Sequence, residues 1–571
     1  MKPVSELIAV ARGRAKAELA LKNARVFNVF TGEFVEGDVA VVEGYVAGVG
    51  TYSGHREVEL GGAFVTPGFI DSHVHIESSM VSPAEFAKIV AASGTTTVVA
   101  DPHEIANVLG TAGVRYMLEA TEALPVTVYI MLPSCVPATG LETAGAALEA
   151  EDLAEFIGHP RVLGLGELMD WAGVLAREDR VLAKLALAEG KLVDGHAPGL
   201  QGAELTAYAA AGARSDHECA TPAEALARLR QGMYVMLREG TAAKNLLDLL
   251  PAINRHTARW CLLATDDRHP ADLVGLGHIN HLVGLAVAAG ADVAAVLQMA
   301  TINAAGYLGI RDLGAVAPGY RADLLVLDNL TDWRPAQVYK AGRLIAEKGR
   351  LLVEPPPRIA GAEVRRTVRL GEAGPAALHI PARSSRARVM GLIPRQLITT
   401  ALEIPVPAEK GGFVPDPARD IAKIAVFERH RGSGRVGVGL VQGFGLKEGA
   451  LASTIAHDSH NLIVVGVSEP DMLLAVREVA EMQGGLAIVR RGRVLGSLAL
   501  PLGGLMSGQD IYAVHSALLR LHALAGELGV PPGQDPFMQL SFLSLPVIPE
   551  LKITDRGLVD VRKAAIVPVS L

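Results

Sequence analysis

The sequence predicts an α/β protein in which a (β/α)8 barrel is inserted into a small β-sandwich domain and followed by a C-terminal α/β domain. The central region alternates short apolar strands with helical stretches, which indicates βα units and a parallel sheet. Both flanks carry short alternating runs broken by glycine-bearing turns, which indicates one β domain made from two segments. The predicted boundaries are 1–66 for an N-terminal helix and the first part of the sandwich, 67–314 for the barrel, 315–353 for the second part of the sandwich, and 361–571 for the C-terminal domain.

Length and composition exclude several classes of protein. The 571 residues exceed what one core supports, and half of them are hydrophobic, so each of about two to four domains can bury a core. The net charge is -8 with both signs well mixed, which argues against a nucleic-acid surface or a polybasic membrane anchor. The three cysteines are widely spaced, and we find neither an apolar leader nor an apolar stretch that could span a bilayer. These features predict a cytoplasmic protein.

The two flanks of the barrel are predicted to share one antiparallel sheet. The chain opens with good helix formers, Val4–Ala20, which we expect to form a helix. From Leu21 to Val65 the texture changes to short alternating runs, and it returns at Gly319–Leu327 and Val338–Ile345. Because strands from both flanks carry the same pattern, we expect them to pair with each other.

Eight candidate strands account for the barrel, whose usual length is about 250 residues. They are Phe69–His75, Thr96–Asp101, Val126–Leu132, Val162–Glu167, Leu192–His196, Ala213–His217, Tyr234–Leu237 and Trp260–Asp266. The alternative is an open doubly wound sheet, but no Gly-x-Gly-x-x-Gly follows a strand to support a dinucleotide site.

The first of these strands ends in a His-x-His pair. In an extended strand, residues i and i+2 point the same way, so His73 and His75 project side by side. Two imidazoles on one strand face can hold a single metal ion, although most isolated His-x-His strings are packed or exposed histidines. Here the pair follows a Pro-Gly entry and an apolar strand, which favours the metal interpretation.

Ligand-type residues close most of the other strands as well. In a barrel, the C-terminal strand ends carry the chemistry. Burying several imidazoles and carboxylates together costs several kcal/mol for each unpaired group, unless a cation compensates. The strand ends therefore predict a metal centre, with candidate residues Asp101, His103, Glu104, Glu167, His196, His217, Asp266 and Asp267.

This arrangement of ligands resembles the amidohydrolase superfamily, which implies a metal-dependent hydrolase barrel. Within that superfamily several strings are similar to the microbial adenine deaminase family, and the resemblance spans nearly the whole chain. The strings are His73–Ser79, Ala100–Val108, Thr265–Pro270, Gly445–Leu446, His457–Asn461 and Leu505–Ser507.

The resemblance implies a binuclear site that holds manganese or ferrous iron. One metal would be held by His73, His75 and Asp266, and the other by His196 and His217, with Glu167 and a hydroxide between them. Many superfamily members use a carboxylated lysine where this chain has Glu167. A glutamate has two oxygens and can also bridge, and a single-metal site with an unshared Glu167 is the alternative.

The resemblance also implies the reaction, in which the hydroxide attacks C6 of adenine and releases ammonia and hypoxanthine, as in purine salvage. Asp266 is the candidate for carrying the hydroxide proton to the leaving amine, and Glu104 is the candidate for protonating N1. For Glu104, a carboxylate favoured by a helix N-terminus is the structural alternative.

Other residues near the strand ends are candidates for binding the substrate. We expect Glu77, Ser78, Asp101, His103, Asp267, Arg268 and His269 to line the purine pocket or to orient the catalytic groups. A solvated loop is the expected setting for three charged residues near strand seven, Arg238, Glu239 and Lys244.

A proline-rich linker at Glu354–Arg358 precedes the C-terminal domain. That domain contains the string His457-Asp458-Ser459-His460, which we interpret as a polar turn in preference to an extra metal site. The domain would help to close the pocket or form a dimer surface. We expect a homo-oligomer, specifically a dimer.

Two alternative functions have different consequences. Another amidohydrolase would open a cyclic amide or deacetylate an amino sugar, and it would release no ammonia from adenine. A non-enzymatic barrel would have lost ligands, whereas all the expected positions are filled here. The sequence does not distinguish adenine from adenosine or other 6-substituted purines.

Overall fold

A computed structural model describes residues 2–356, 361–393 and 396–571 of the chain. In the predicted linker, Pro357 and Arg358 lie outside the described residues. Among the residues described, no helix is both long and apolar enough to cross a membrane.

The N-terminal flank begins with one short helix. Its elements are α1 (Val4–Ala11), β1 (Ala17–Asn28), β2 (Glu33–Val42), β3 (Tyr45–Gly50), β4 (Gly54–Glu59) and β5 (Phe64–Pro67). The predicted helix Val4–Ala20 is too long, because Gly13 adopts a left-handed conformation (φ 67°) and Ala17 already pairs with Gly54. The turn that ends the helix is therefore set by a glycine that tolerates positive φ.

Eight parallel strand positions form the barrel. The strands are β6 (Phe69–His75), β7 (Thr95–Ala100), β8 (Thr127–Leu132), β9 (Val162–Leu168), β10 (Leu192–Gly195), β11 (Ser215–Asp216), β12 (Tyr234–Arg238), β13 (Cys261–Ala264) and β14 (Asp266–Asp267). They pair as a six-stranded sheet, β10-β9-β8-β7-β6-β14, and a three-stranded sheet, β11-β12-β13. The Arg214 N–H donates to Val193 O (2.9 Å) and joins the two sheets on one side. On the other side β14 continues β13, so the predicted α/β barrel fold is confirmed.

The eighth predicted strand is interrupted at Thr265. Its N–H donates to the side chain of Asp71 on the adjacent strand β6 (3.1 Å), and Asp266 has a positive φ of 57°. The break separates β13 from β14, in which Asp266 pairs with Val74 of β6 at the C-terminal end of the barrel. The predicted sixth strand is also shorter than expected, since only Ser215–Asp216 pairs.

Thirteen helices occupy the connections of the barrel region. They are α2 (Pro83–Ala92), α3 (His103–Leu109), α4 (Thr111–Ala120), α5 (Ala150–Ile157), α6 (Trp171–Ala176), α7 (Asp179–Leu187), α8 (Gly202–Ala210), α9 (Pro222–Arg230), α10 (Leu246–Leu249), α11 (Pro270–Gly275), α12 (Ile279–Ala288), α13 (Val293–Met299) and α14 (Ile302–Tyr307). Helix α9 illustrates their sequence signals, because Thr221 at the N-cap and Glu224 form a capping box, and Pro222 is the first helical residue.

The second flank completes the sheet of the first. Its strands are β15 (Leu324–Leu327), β16 (Gln337–Lys340), β17 (Arg343–Glu347) and β18 (Arg350–Leu351). The joint sheet runs β18-β17-β16-β15-β5-β1-β2-β3, with β4 paired to β1. The sheet is mixed, not purely antiparallel, because β1 runs parallel to β4 and β5. The barrel is thus connected to a sheet that both flanks build.

The C-terminal lobe, residues 361–571, has its own sheet. Its strands are β19 (Arg386–Leu392), β20 (Thr399–Pro405), β21 (Ala408–Glu409), β22 (Gly412–Phe413), β23 (Ile421–Phe427), β24 (Val436–Gln442), β25 (Ala450–Ser453), β26 (Leu462–Gly466), β27 (Gly485–Arg490), β28 (Arg493–Ala499), β29 (Leu551–Thr554), β30 (Gly557–Asp560) and β31 (Ala565–Val567). Its helices are α15 (Glu469–Glu481), α16 (Ile511–Glu527) and α17 (Pro536–Phe542). Eight of the strands form one sheet, β20-β19-β24-β23-β26-β25-β27-β28.

The C-terminal lobe is hydrogen-bonded to the functional end of the barrel. Ser82 N–H donates to Ser507 O (3.0 Å), and Ser507 N–H donates to Met80 O (2.7 Å), just beyond β6. The Asp555 side chain accepts from Thr143 N–H (2.8 Å), in the long connection after β8. These contacts place the lobe next to the strand ends that carry the predicted ligands.

Candidate metal centre and active site

The His-x-His pair lies at the centre of the site. Strand β6 is buried along its whole length, so it places His73 and His75 inside the barrel mouth. The two Nε2 atoms are 3.2 Å apart. His75 Nδ1 contacts Asp101 O (3.0 Å), which makes Nδ1 the donor and leaves the lone pair of Nε2 free to bind a metal.

Two carboxylates from distant strands approach this pair. Glu167, near the end of β9, has Oε1 at 3.1 Å from His73 Nε2 and 2.8 Å from His75 Nε2. Asp266, on β14, has Oδ1 at 3.5 Å and 3.1 Å from the same two nitrogens. The four side chains converge from three strands, as the barrel arrangement predicts.

The other oxygen of Glu167 faces the second pair of histidines. Its Oε2 lies 2.7 Å from His196 Nδ1 and 3.8 Å from His217 Nε2. The His217 ring stacks on His73 with centroids 4.4 Å apart. Glu167 therefore stands between two sets of ligands, one oxygen toward each.

The electrostatics of this cluster favour positive charge. Burial opposes ionisation of Glu167, but its contacts with His196, His73 and His75 outweigh burial and hold its pKa well below the usual range. Burial likewise opposes protonation of His73, yet Asp266 and Glu167 raise its pKa to about 10. Two buried carboxylates that stay ionised need a compensating cation or protons nearby.

The donor set fits a metal. Glu167 Oε1 and His196 Nδ1 are buried and make no hydrogen bond of acceptable geometry with the described residues, although ligand-type atoms lie around them. Four side chains, His73, Glu167, His217 and Asp266, each place one donor atom within 4.8 Å of the others. Imidazole and carboxylate donors suit zinc, manganese or ferrous iron.

Asp266 has a further partner on β12. Arg238 Nη1 donates to Asp266 Oδ2 (3.0 Å), and the same guanidinium pairs with Glu218. Arg238 and Glu239 are buried, so the predicted solvated loop is wrong for both, while Lys244 is exposed as predicted. Strand β12 extends to Arg238, one residue beyond the predicted end, and this places the side chain inside the site.

Glu104 lies at the start of α3 and is 1% exposed. Ser78 Oγ is 2.9 Å from Glu104 Oε1 and 2.6 Å from Asp267 Oδ1. A hydroxyl has one proton, so Ser78 donates to only one carboxyl group at a time. All three groups are satisfied when Glu104 is protonated and donates to Ser78, which donates to Asp267.

The surroundings of Glu104 favour this protonated form. Burial, together with the negative charges of Asp267 and Glu77, raises the pKa of Glu104 well above its usual range. A buried carboxyl that keeps its proton near neutral pH has the property needed in a general acid.

Three other predicted residues, Glu77, Asp101 and His103, lie around Glu167 and the first turn of α3. Glu77 Oε1 accepts from Ile105 N–H (3.2 Å) in the first turn of α3. Asp101 Oδ2 accepts from Glu167 N–H (3.1 Å), which fixes the backbone of that ligand. His103 Nδ1 lies 3.8 Å from Glu167 Oε1.

The last two predicted residues, Arg268 and His269, make contacts with loop backbone and with the C-terminal lobe, respectively. Arg268 donates to Gly277 O (3.1 Å) and to Glu239 O (2.7 Å), so both of these contacts hold backbone after β12 and β14. His269 Nδ1 lies 3.1 Å from Asp535 Oδ2 in the C-terminal lobe. Arg268 thus stabilises two loops through their backbone carbonyls. His269 is part of the contact between the C-terminal lobe and the barrel.

The C-terminal lobe adds three side chains to the surroundings of Glu104 and His103. His457 and His460 are buried, with Nδ1 and Nε2 at 3.8 Å and 3.9 Å from the two oxygens of Glu104. Asp458 Oδ1 lies 4.0 Å from His103 Nε2. The string does form a turn, as predicted, but the turn is buried and lies beside Glu104, which the prediction did not include. The available signal was the pairing of two histidines with an acid in a string that also carried the family resemblance.

Comparisons with known proteins cover the whole chain. The family model described as Amidohydrolase family matches residues 64–352, and the Adenine deaminase C-terminal domain matches 396–565. Adenine deaminase 2 of Carboxydothermus hydrogenoformans is 61% identical over 571 residues, which is 100% of both chains. Adenine deaminase of Geobacillus kaustophilus is 46% identical and covers 98% of both chains. The structure of L-hydantoinase (dihydropyrimidinase) from Arthrobacter aurescens covers 59% of this chain and 98% of its own, at 16% identity and a TM-score of 0.46.

Proposed function

The chain belongs to the adenine deaminase family of amidohydrolases, and we propose that it hydrolyses adenine to hypoxanthine and ammonia at the cluster around Glu167. The observation that carries this proposal is the convergence of three buried histidines, the partly buried His196 and two buried carboxylates at one end of the barrel. Such a set is costly to bury without a cation, and it supports metal-assisted hydrolysis.

We assign the metal ligands by which atoms approach one another. His73, His75 and Asp266 would hold one ion, and His196 and His217 a second, with Glu167 shared between them. When bound, the metal supplies activated water at neutral pH, since a bound cation lowers the pKa of water toward ~7. Manganese or ferrous iron is the proposed metal, in line with the family resemblance.

Asp266 and Glu104 would perform the proton transfers. Hydrolysis at C6 of adenine needs a proton at ring N1, and the amino group must leave as ammonia. Glu104 carries its proton in a buried site beside Ser78, which supports its role as the donor to N1. Asp266 would accept the proton of the attacking water and deliver it to the leaving nitrogen, and Arg238 holds the carboxylate in place for that role.

The substrate test compares three compounds on the full-length protein loaded with manganese or ferrous iron. We expect hypoxanthine and an equal amount of ammonia from adenine, and no turnover of dihydrouracil. Adenosine, added in parallel, shows whether a ribose on N9 is accepted. Opening of the dihydrouracil ring without ammonia from adenine would replace the proposal with a cyclic amidohydrolase.

A further inference from the structure

The two histidines of the C-terminal lobe approach Glu104 from outside the barrel. His457 Nδ1 is 3.8 Å from Glu104 Oε1, and His460 Nε2 is 3.9 Å from Glu104 Oε2. His460 Nε2 is buried and has no hydrogen-bond partner in the described part of the chain. An imidazole nitrogen that is buried without a partner costs free energy, so its orientation toward Glu104 requires an explanation.

The tautomer of His460 is fixed by the backbone N–H of a residue four positions earlier. Ala456 N–H donates to His460 Nδ1 (3.3 Å), so in the neutral ring the hydrogen is on Nε2. Burial, together with the charges of His457 and Arg429, holds the pKa of His460 well below its usual range, so the ring is neutral. His460 therefore presents an N–H donor to Glu104 Oε2.

The segment that carries these histidines is firmly anchored. The buried Arg429 donates to His460 O, to Thr367 Oγ1 (3.1 Å) and to Gly503 O (3.0 Å). The His457 ring stacks on Phe542 with centroids 4.4 Å apart. A donor on such a fixed segment meets the requirement for preorganisation in an active site.

From this geometry we propose that His460, assisted by His457, is a positioning residue that directs the Glu104 carboxyl during deamination. The inference rests on the proposed function. When the proton of Glu104 passes to N1 of adenine, the carboxyl becomes an anion, and the His460 N–H donates to it. A gap of 3.9 Å is too long for a hydrogen bond before substrate binds, and catalytic contacts of this kind commonly shorten in the substrate complex.

A cation is the rival occupant of this site. Glu104, His457 and His460 place one donor atom each within 4.8 Å of the others, which is compatible with metal binding. The contact between Ala456 N–H and His460 Nδ1 argues against it, because a metal on Nε2 would require the hydrogen to move to Nδ1. If a cation binds here, variants of His460 should lose metal. If His460 acts as a hydrogen-bond donor, they should keep the metal content of the wild type.

The test uses His460→Leu and His460→Gln in the full-length, manganese-loaded protein, with kcat and KM for adenine, metal content and thermal unfolding measured on each. Leucine removes the N–H donor, whereas glutamine keeps an amide N–H near the position of Nε2. We expect the leucine variant to lose about 100-fold in kcat with little change in KM, as for loss of one transition-state donor. We expect the glutamine variant to recover at least tenfold of that loss. Both variants should keep the metal content of the wild type.

His515→Gln and His515→Leu are matched controls. His515 is a partly buried histidine on α16 of the same lobe, and no contact with Glu104 is present. Equal losses of kcat in the two His460 variants, or loss of bound metal on His460→Leu, would overturn the positioning role. A wild type that is inert on adenine would overturn the proposed function and this inference together, whereas active wild type with unaffected His460 variants would overturn the inference alone.

Discussion

Glu167 organises the site at the scale of single residues. Each of its carboxylate oxygens faces a different group of histidines, at 2.8 Å from His75 and 2.7 Å from His196. A carboxylate at this position can bridge two cations because it offers two donor atoms on one rigid group. Asp266 is held from both sides, by the histidines at Oδ1 and by Arg238 at Oδ2.

Replacing Glu104 with glutamine should lower kcat more than it weakens adenine binding. The amide keeps the size of the side chain but has no acidic proton for N1, and general acid–base catalysis contributes about 10²- to 10⁴-fold. Steady-state kinetics with adenine measure both parameters. A Glu104→Gln variant that turns over like the wild type would exclude the acid role.

Replacing Asp266 with asparagine should abolish most turnover while much of the metal stays bound. Asparagine retains one oxygen for coordination but is not basic enough to take a proton, so we expect a loss of at least about 10³-fold in kcat. Metal analysis of the purified variant, beside ammonia release, separates the two roles. Loss of metal in proportion to activity would show that Asp266 acts only as a ligand.

At the scale of secondary-structure elements, the strand ends and the connections that follow them position the side chains of the site. The barrel strands were predictable because apolar runs and the i, i+2 geometry of His73 and His75 are local properties of the sequence. The break at Thr265 was not predictable, because it depends on a hydrogen bond to Asp71, which lies 194 residues earlier in the chain. For the same reason the burial of Arg238 was missed, because its partners lie elsewhere in the barrel: Glu218 just after β11 and Asp266 on β14.

The connection after β8 carries a buried acid whose titration should change stability. Burial, and then the charge of Asp458, raise the pKa of Glu142 from 4.5 to about 8. A raised pKa in the folded state means that its stabilising contribution is present below 4.5 and is lost as pH rises through about 8. Glu142→Gln should therefore gain stability relative to the wild type as pH rises, by on the order of 1 kcal/mol per pH unit.

Denaturant unfolding of Glu142→Gln and wild type near pH 5 and near pH 8 checks this sign. Glu151→Gln is the matched control, because Glu151 is exposed on α5. This variant should have the same free energy of unfolding as the wild type at both pH values. A stability difference between Glu142→Gln and wild type that does not change with pH would contradict the assigned pKa.

Two lobes share the site at the scale of the whole molecule. The barrel supplies the proposed metal ligands, and the C-terminal lobe supplies His457, Asp458 and His460 around Glu104 and His103. Contacts between positions more than 300 residues apart leave no periodic signal in a sequence, so only the family resemblance of the string His457–Asn461 pointed to them. The expected homodimer stays a prediction.

Metal removal should affect the whole barrel. The proposed ligands come from five strand ends, so a bound ion would stabilise their common arrangement, by about 2.7 kcal/mol at a free concentration of 100 times Kd. Dialysis against a chelator should lower the Tm and abolish ammonia release, and manganese or ferrous iron should restore both. Unchanged Tm after verified metal loss would contradict a structural contribution of the ion.

The central claim is that the cluster around Glu167 binds the metal and performs the deamination. The most direct measurement is metal content together with ammonia release from adenine, for wild type and Glu167→Ala loaded under the same conditions. We predict that the wild type holds metal and releases ammonia, and that Glu167→Ala, still folded by circular dichroism, loses bound metal and turnover together. A folded Glu167→Ala that keeps the full metal content and the wild-type rate of ammonia release would contradict the account.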